Sequence, residues 1–442
     1  RENETSHSTS ATVMKSLLRL SDAMDESTKA KYKQIVKTSV KSDSSYKQND
    51  YLSSYSDISK MKSLIEDSTI STNGLTQQLK IYNDMNRVTY HNKDLDFAFG
   101  LSMTSKNVAH YESINGENLK GWHTGAGMSY LYNSDVKHYR DNFWATADMK
   151  RLAGTTTLDN EEPKENKNSD KTFVGGTKFD DQHASIGMDF ENQDKTLTAK
   201  KSYFILNDKI VFLGTGIKST DSSKNPVTTI ENRKANGYTL YTDDKQTTNS
   251  DNQETNSVFL ESTDTKKNIG YHFLNKSKIT VKKESHTGKW SEINKSQKSD
   301  DKKDEYYEVT QKHSNSDNKY GYVLYPGLSK DVFKTKKDEV TVVKQEDDFH
   351  VVKDNESVWA GVNYSNSTQT FDINNTKVEV KAKGMFILKK KDDKTYECSF
   401  YNPESTNSAS DIESKISMTG YSITNKNTST YNESGVHFEL TK

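Results

Sequence analysis

The spacing of apolar side chains changes once along the chain. Up to about residue 85 the period is helical: Val13, Leu17, Leu20 and Met24 share one face, Leu18 widens it, and Asp25, Glu26, Lys29 and Lys31 make the next segment polar. A second helix is predicted through Tyr32, Ile35, Val36 and Val40, and a third, capped by Asp57, through Met61, Leu64 and Ile65. A fourth is expected to follow Asn73-Gly74 and to carry Leu75, Leu79 and Tyr82. These apolar faces are only partly matched among themselves, so the set reads as the end of a larger helical array.

From about Arg87 the period becomes two and strands dominate to about residue 330. Val174-Gly175-Gly176 is expected to mark a bend, and Ile186 to Phe190 alternates as a half-buried strand would. Lys201 to Leu206 and Ile210 to Gly214, separated by Asn207-Asp208, predict a hairpin. Further strands are expected at Ser257 to Leu260, Ile269 to Leu274, Tyr306 to Gln311 and Tyr320 to Tyr325. Segments 161–171, 243–256 and 294–305 are polar and read as exposed loops. Pro326-Gly327 closes this block. A smaller one begins at Glu339 to Val343, continues with Val378, Val380 and Ala382 alternating, and carries a buried-looking strand at Met385 to Leu388.

Composition supports a mostly β reading. Hydrophobic residues make up 31% and mean hydropathy is -0.97, which alone leans towards disorder, but aromatics reach 10% with 24 Tyr and only 4 Pro. Tyr and β-branched residues suit pleated, half-buried surfaces. A length of 442 residues allows two or three domains. The net charge of -1 supplies no global field to recruit nucleic acid or a membrane surface, so any anionic ligand must meet a local basic groove. Cys398 stands alone and excludes an internal disulfide framework or a cysteine-rich zinc site. No apolar run approaches the roughly 20 residues that span a bilayer. The chain opens on Arg1, and the expectation is a piece of a longer protein.

The richest chemistry lies in Tyr111 to Met128, where Glu112, Asn115, Glu117, Asn118, Trp122 and His123 are crowded among Gly116, Gly121, Gly125 and Gly127. Read by itself, this is either a surface that hydrogen-bonds and stacks on a polar ligand or a plain glycine-rich loop between strands. With Tyr130-Leu131-Tyr132-Asn133 after it, and Arg87 and Phe97-Ala98-Phe99-Gly100-Leu101-Ser102-Met103 before it, the stretch closely resembles polysaccharide lyases of the hyaluronate, chondroitin AC and xanthan lyase family. The 201–214 hairpin and Asn225 to Arg233 resemble it too.

The resemblance implies a mainly β chain with an N-terminal helical segment. Residues 1–85 would be the last helices of an incomplete α/α toroid, 86–330 a central antiparallel β-supersandwich, and 331–442 a C-terminal β-sandwich. It implies β-elimination: a base removes the C5 proton of a uronic acid, an acid protonates the departing 4-linked oxygen, and charge on the carboxylate is stabilised. In this family Asn, His and Tyr of the helical domain do this, and they would lie ahead of Arg1, leaving this chain nearly inactive alone. Arg1 resembles the last arginine of the family's arginine-containing catalytic segment, a frayed terminus being the alternative. Glu112 would orient a catalytic arginine or tyrosine and Asn115 would bond the substrate; the alternative for both is a turn-stabilising pair. Asn118 and Trp122 are candidate substrate contacts, against loop closure for the one and core packing for the other.

The partners implied are hyaluronan, or the related chondroitin or xanthan, and the protein's own N-terminal helical domain. No redox cofactor or obligatory metal, no nucleic acid, no membrane and no second copy are implied, and the whole protein would be secreted. A rival class is a non-catalytic adhesin or carbohydrate-binding sandwich. His123 lacks a partner in sequence and reads as a surface or loop residue. Tyr90-His91-Asn92 holds the three residue types of the lyase triad, but strand neighbours point to opposite faces. Gly125-Ala126-Gly127 lacks a third glycine, Asn315 to Asn318 lacks the glycine and closing glutamate of a calcium loop, and Lys389 to Lys391 reads as a solvated strand end.

Overall fold

The computed structural model describes residues 8–42, 54–72, 76–163, 166–428 and 435–442. Arg1 and the Asn73-Gly74 helix start lie outside them. The chain divides into two units, Arg1–Thr76 and Gln77–Lys442.

In the first unit, α1 (Ser8–Ser21), α2 (Glu26–Ser42) and α3 (Tyr55–Glu66) bury Leu18, Val36, Val40, Met61 and Leu64 together. The inward stripe of α1 is Ala11, Met14, Leu18 and Ser21 with Leu17 packed beside it, so the predicted face holds at Leu17 and Leu18 but not at Val13, Leu20 or Met24. Val13 and Leu20 are 48% and 49% exposed, and Met24 falls beyond the helix. Two stripes one residue apart share the same period, and only the neighbouring helices decide which turns inward. The cap of α3 is Ser54, whose Oγ accepts the Asp57 amide at 3.2 Å and donates to Asp57 Oδ2 at 2.8 Å. Asp57 also accepts from Arg19 Nε at 2.7 Å, and Arg19 and Ser54 together hold its carboxyl down to about 2.

The second unit is a stack of four antiparallel sheets. The first contains β1 (Gln78–Tyr82), β2 (Arg87–Asn92), β3 (Phe97–Ser102) and β4 (Met128–Tyr132) in that order. Leu79 and Tyr82 therefore lie on a strand rather than on the predicted fourth helix, because Leu79 and Ile81 alternate into a sheet core that helical packing would not offer. Behind it lies a 12-stranded sheet, then a 7-stranded sheet, then a small sheet of 3 strands, Gln369–Ile373, Thr376–Val380 and Ile416–Met418.

Alternation builds the layers. In the strand Leu197–Leu206, Tyr203 and Ile205 join the core shared with Leu79, Val88, Phe99 and Leu101, while Phe204 and Leu206 join the core shared with Val352, Ala360, Val362 and Met385 of the 7-stranded sheet. The far face of that sheet, with Val351, Phe386, Leu388 and Cys398, buries Phe371, Val378 and Ile416 of the small one. The predicted hairpin forms with Leu206 opposite Lys209 and Asn207 at φ 57°.

Three strand expectations change. Val174 to Gly176 lies in the regular strand Val174–Lys178 instead of a bend. A Cβ on Gly175 would sit 2.7 Å from Asn83 Oδ1 and one on Gly176 2.9 Å from Ile186 Cγ1, so these glycines allow close approach. The Ile186–Phe190 stretch lies in His183–Glu191, buried on both faces apart from half-buried Asp189, because a sheet packs on each side. Much of 243–256 is strand, Lys245–Gln246 and from Ser250 onward, and the last of 294–305 starts Lys302–Lys312. Glu161, Pro163, Ser169 and Asn294 in the predicted exposed loops are buried.

Candidate functional site

The polar stretch singled out from sequence is the long connection from β3 to β4. At its tip Ile114-Asn115-Gly116-Glu117 turns with φ 55° at Asn115 and 79° at Gly116, and the Glu117 amide donates to the Ile114 carbonyl at 2.9 Å. Positive φ at both central residues is what an Asn-Gly pair accepts at least cost. The Lys295 amide donates to the Gly116 carbonyl at 2.9 Å, and the Leu119 amide to the Ile293 carbonyl at 2.9 Å, pinning the loop to the chain after Trp290. The tip is thus held by backbone bonds, leaving side chains available.

Glu112 and Asn115 are both exposed, and among the described residues neither side chain has a hydrogen bond or ion pair. Asn118 is differently employed. Half-buried at φ 51°, it donates its amide to the Glu112 carbonyl at 2.6 Å and closes the loop. A Cβ on Gly121 would lie 2.5 Å from Asn118 Oδ1, so the closure requires glycine there. Trp122 is half-buried against Met128, Phe143, Trp144 and Trp290, part core and part surface. His123 is 3% exposed rather than at the surface, its Nε2 3.3 Å from the Glu161 carbonyl, and burial pushes its pKa down to about 4. The ring is covered with help from outside the loop, Glu161 lying 38 residues further along the chain.

Residues that sequence reasoning passed over stand around this loop. Lys295 is exposed and lays its stem along Gly116, Cδ 3.0 Å from where a Cβ would be. It came from a segment read only as an exposed loop, and the pairing with Gly116 has no local signature. The outward face of the first sheet is the other addition: Lys80, Thr89, Gly100 and Tyr130 lie in register across it, flanked by His91, Ala98 and Tyr132. Tyr130 and Tyr132 stack at 6.3 Å with 5° between their planes, and Tyr132 is 50% exposed. The every-second-residue pattern of 78–82 and 128–132 carried that signal. Arg87, at the same edge, donates to the carbonyls of Met85, Asn86 and Met103 at 3.1, 3.1 and 2.8 Å.

Beneath β4 a buried group supports the tyrosines. Arg233 and Glu231, each 1% exposed, pair at 3.3 Å; Tyr271 donates its hydroxyl to Glu231 Oε2 at 2.8 Å, and Arg233 Nη1 lies 3.5 Å from the Leu131 carbonyl. Burial opposes the Arg233 charge, but the neighbouring carboxylate raises its pKa overall. The site therefore presents a carboxylate, a carboxamide, a cation and an aromatic ledge on a fixed frame, groups that bond sugar hydroxyls, meet a carboxylate and stack on pyranose faces.

The other constellations resolve as structure. Tyr90 and Asn92 share the buried face of β2 and converge on the Asn207 carbonyl at 2.6 and 3.2 Å, while His91 faces the opposite way. Gly125 passes so close to the His110 carbonyl that a Cβ would be 2.3 Å from it. Ser314 to Asp317 forms an exposed turn, and Lys389, Lys390 and Lys391 pair with Asp180, Asp393 and Glu439. Among the described residues no helix is long and apolar enough to cross a membrane.

Comparison with known proteins places these features. Residues 77–337 match the super-sandwich domain of polysaccharide lyase family 8, and residues 341–411 its C-terminal β-sandwich domain. The chain is 92% identical over 444 aligned residues to hyaluronate lyase of Staphylococcus aureus, covering 100% of this chain and 55% of that protein. Xanthan lyase of Bacillus sp. strain GL1 is 31% identical over 306 residues, 65% of this chain and 31% of the relative. The solved structure of Paenibacillus xanthan lyase superposes with a TM-score of 0.85 at 28% identity, covering 97% of this chain and 42% of that one. A Streptomyces coelicolor chondroitin AC lyase shares the fold, with a TM-score of 0.77 at 20% identity over 97% of this chain and 56% of that one. The chain spans about half the length of the S. aureus relative.

Proposed function

The chain belongs to polysaccharide lyase family 8, and on that premise we propose that it is the C-terminal part of a secreted hyaluronate lyase that cleaves hyaluronan by β-elimination to unsaturated uronic acid products. The observation that carries this reading is the 92% identity, along the whole chain, to a protein named hyaluronate lyase. The looser match to xanthan lyase, at 31% identity, is the reason to test related polymers beside it.

In this reading the outward face of the first sheet and the 103–127 loop are one wall of the sugar groove. Asn115 hydrogen-bonds the substrate. Glu112 orients a catalytic arginine or tyrosine, a task its carboxylate, exposed and without a partner among the described residues, is free to perform. Lys295 meets the uronate charge beside Asn115, and Tyr130, Tyr132 and the open edge of Trp122 supply stacking surface. Asn118 acts one step back by holding the loop shape. The base and the acid belong to the part of the relatives that this chain does not match, in a helical domain of which α1 to α3 are the end, and Arg1 belongs to its catalytic segment. The enzyme works as a monomer outside the cell, with its substrate and that helical domain as partners.

Absorbance of the unsaturated product tests this. A protein extended upstream to the length of the S. aureus relative should generate it from hyaluronan, faster than from chondroitin or xanthan, and the isolated 442-residue chain should not. In the extended protein Asn115→Ala should raise KM. No product from the extended protein on hyaluronan would end the functional reading; equal product from the isolated chain would end the placement of base and acid outside it.

A further inference from the structure

Away from that loop, His183 opens the strand His183–Glu191 of the 12-stranded sheet, Asp354 ends the strand Phe349–Asp354 of the 7-stranded sheet, and Glu356 lies in the turn that follows. One potential ligand atom from each lies within 4.8 Å of the other two. His183 is 1% exposed and Asp354 2%, yet among the described residues His183 Nε2 and Asp354 Oδ2 have no hydrogen-bond partner. Buried polar atoms left in this way are rare and need a physical reason.

Their surroundings fix the lone pairs. His183 Nδ1 lies 2.8 and 2.9 Å from the two carboxylate oxygens of Asp180, which also pairs with Lys389 at 3.2 Å. An acceptor at that distance draws the ring proton of a neutral imidazole onto Nδ1, which leaves the Nε2 lone pair free to bind a ligand. Asp354 Oδ1 accepts the amides of Glu356 and Val358, each at 2.9 Å, which leaves the buried Oδ2 outside these turn bonds and places Glu356 nearby. Two buried electron-pair donors are thus left unsatisfied among the described residues, in one cluster with the Glu356 carboxylate.

We propose that His183, Asp354 and Glu356 hold a divalent metal ion of the zinc class, which clips the central sheet to the C-terminal sandwich. An imidazole nitrogen with two carboxylates suits zinc; calcium and magnesium prefer oxygen ligands throughout. Zinc-ligand bonds of about 2.0–2.1 Å put tetrahedral ligand atoms about 3.4 Å apart, so the exposed Glu356 side chain closes on the ion and water completes the site. Asp180 is then the carboxylate that orients a metal-bound imidazole. Charge balances locally: two carboxylates neutralise the ion, and Asp180 is matched by Lys389 at 3.2 Å. The role is structural, and it stands independently of which polysaccharide the protein cleaves.

The full chain, stripped by EDTA dialysis and titrated calorimetrically with zinc chloride, should bind one zinc and melt at a higher temperature when loaded. Cobalt in its place should give visible bands of a low-symmetry nitrogen and oxygen site. Glu356→Gln, at an exposed position that leaves folding intact, should weaken zinc by at least about tenfold; Asp180→Asn should weaken it by about 10–100-fold. His183→Gln, checked for folding by circular dichroism, should abolish binding. Absence of zinc binding, or binding undiminished in either Glu356→Gln or His183→Gln, overturns the proposal.

Discussion

Arg233→Met asks how much the frame beneath β4 depends on one buried charge pair. Met keeps most of the side-chain volume but leaves Glu231, 1% exposed, with only the Tyr271 hydroxyl at 2.8 Å and the Asn232 amide at 2.9 Å to hold a charge. Breaking a buried pair on one side costs about 3–5 kcal/mol, because the desolvation of the remaining ion is no longer offset. Loss of the guanidinium beside the Tyr139 ring, 5.8 Å away, adds a fraction of that. Removing both charges is different: Glu231→Gln with Arg233→Met leaves a neutral amide that Tyr271 and Asn232 still satisfy, and should recover about half the loss or more. Urea unfolding followed by tryptophan fluorescence, with Trp290 in the cluster that also holds Met128 and Tyr306, reads the three variants against the parent. The coupling energy of the double-mutant cycle should exceed about 1 kcal/mol. A cost for Arg233→Met below about 1 kcal/mol, or a cycle additive within about 0.5 kcal/mol, would refute the reasoning.

Two further outcomes are expected. Burial holds His123 and His313 down to about 4 and His350 to about 3, whereas unfolded imidazoles titrate near about 6.5. Between those values the unfolded chain binds more protons, so stability should fall steadily as pH drops from about 6.5 to 4; thermal midpoints flat across that window would contradict it. Gly116→Ala should cost about 1–2 kcal/mol at φ 79°, since the Lys295 stem can move aside but the backbone cannot. Hydrogen exchange at the Glu117 and Lys295 amides, both bonded across this turn, should then quicken by about 5–30-fold, and unchanged rates would exclude the strained-turn account.

The sequence by itself determined that helices give way to sheets, though it set the change near Arg87 where the first strand already begins at Gln78, together with the Asn207-Asp208 hairpin and the loop that carries Glu112 and Asn115. Each depends on residues within a few positions, where spacing and turn chemistry act directly. Tertiary structure alone decided which stripe of α1 faces inward, why Gly175 and Gly176 belong to a flat strand, and that Ile186 to Phe190 is covered on both sides. It also enclosed His123, gave Asn118 to loop closure, brought Lys295 to Gly116, and set His183 against Asp354. The α1 stripe depends on its neighbouring helices and the Asn118 closure on the path of its own loop, while the other outcomes depend on sheets stacked from distant parts of the chain, and a side chain's neighbourhood in sequence holds no information about which layer will cover it.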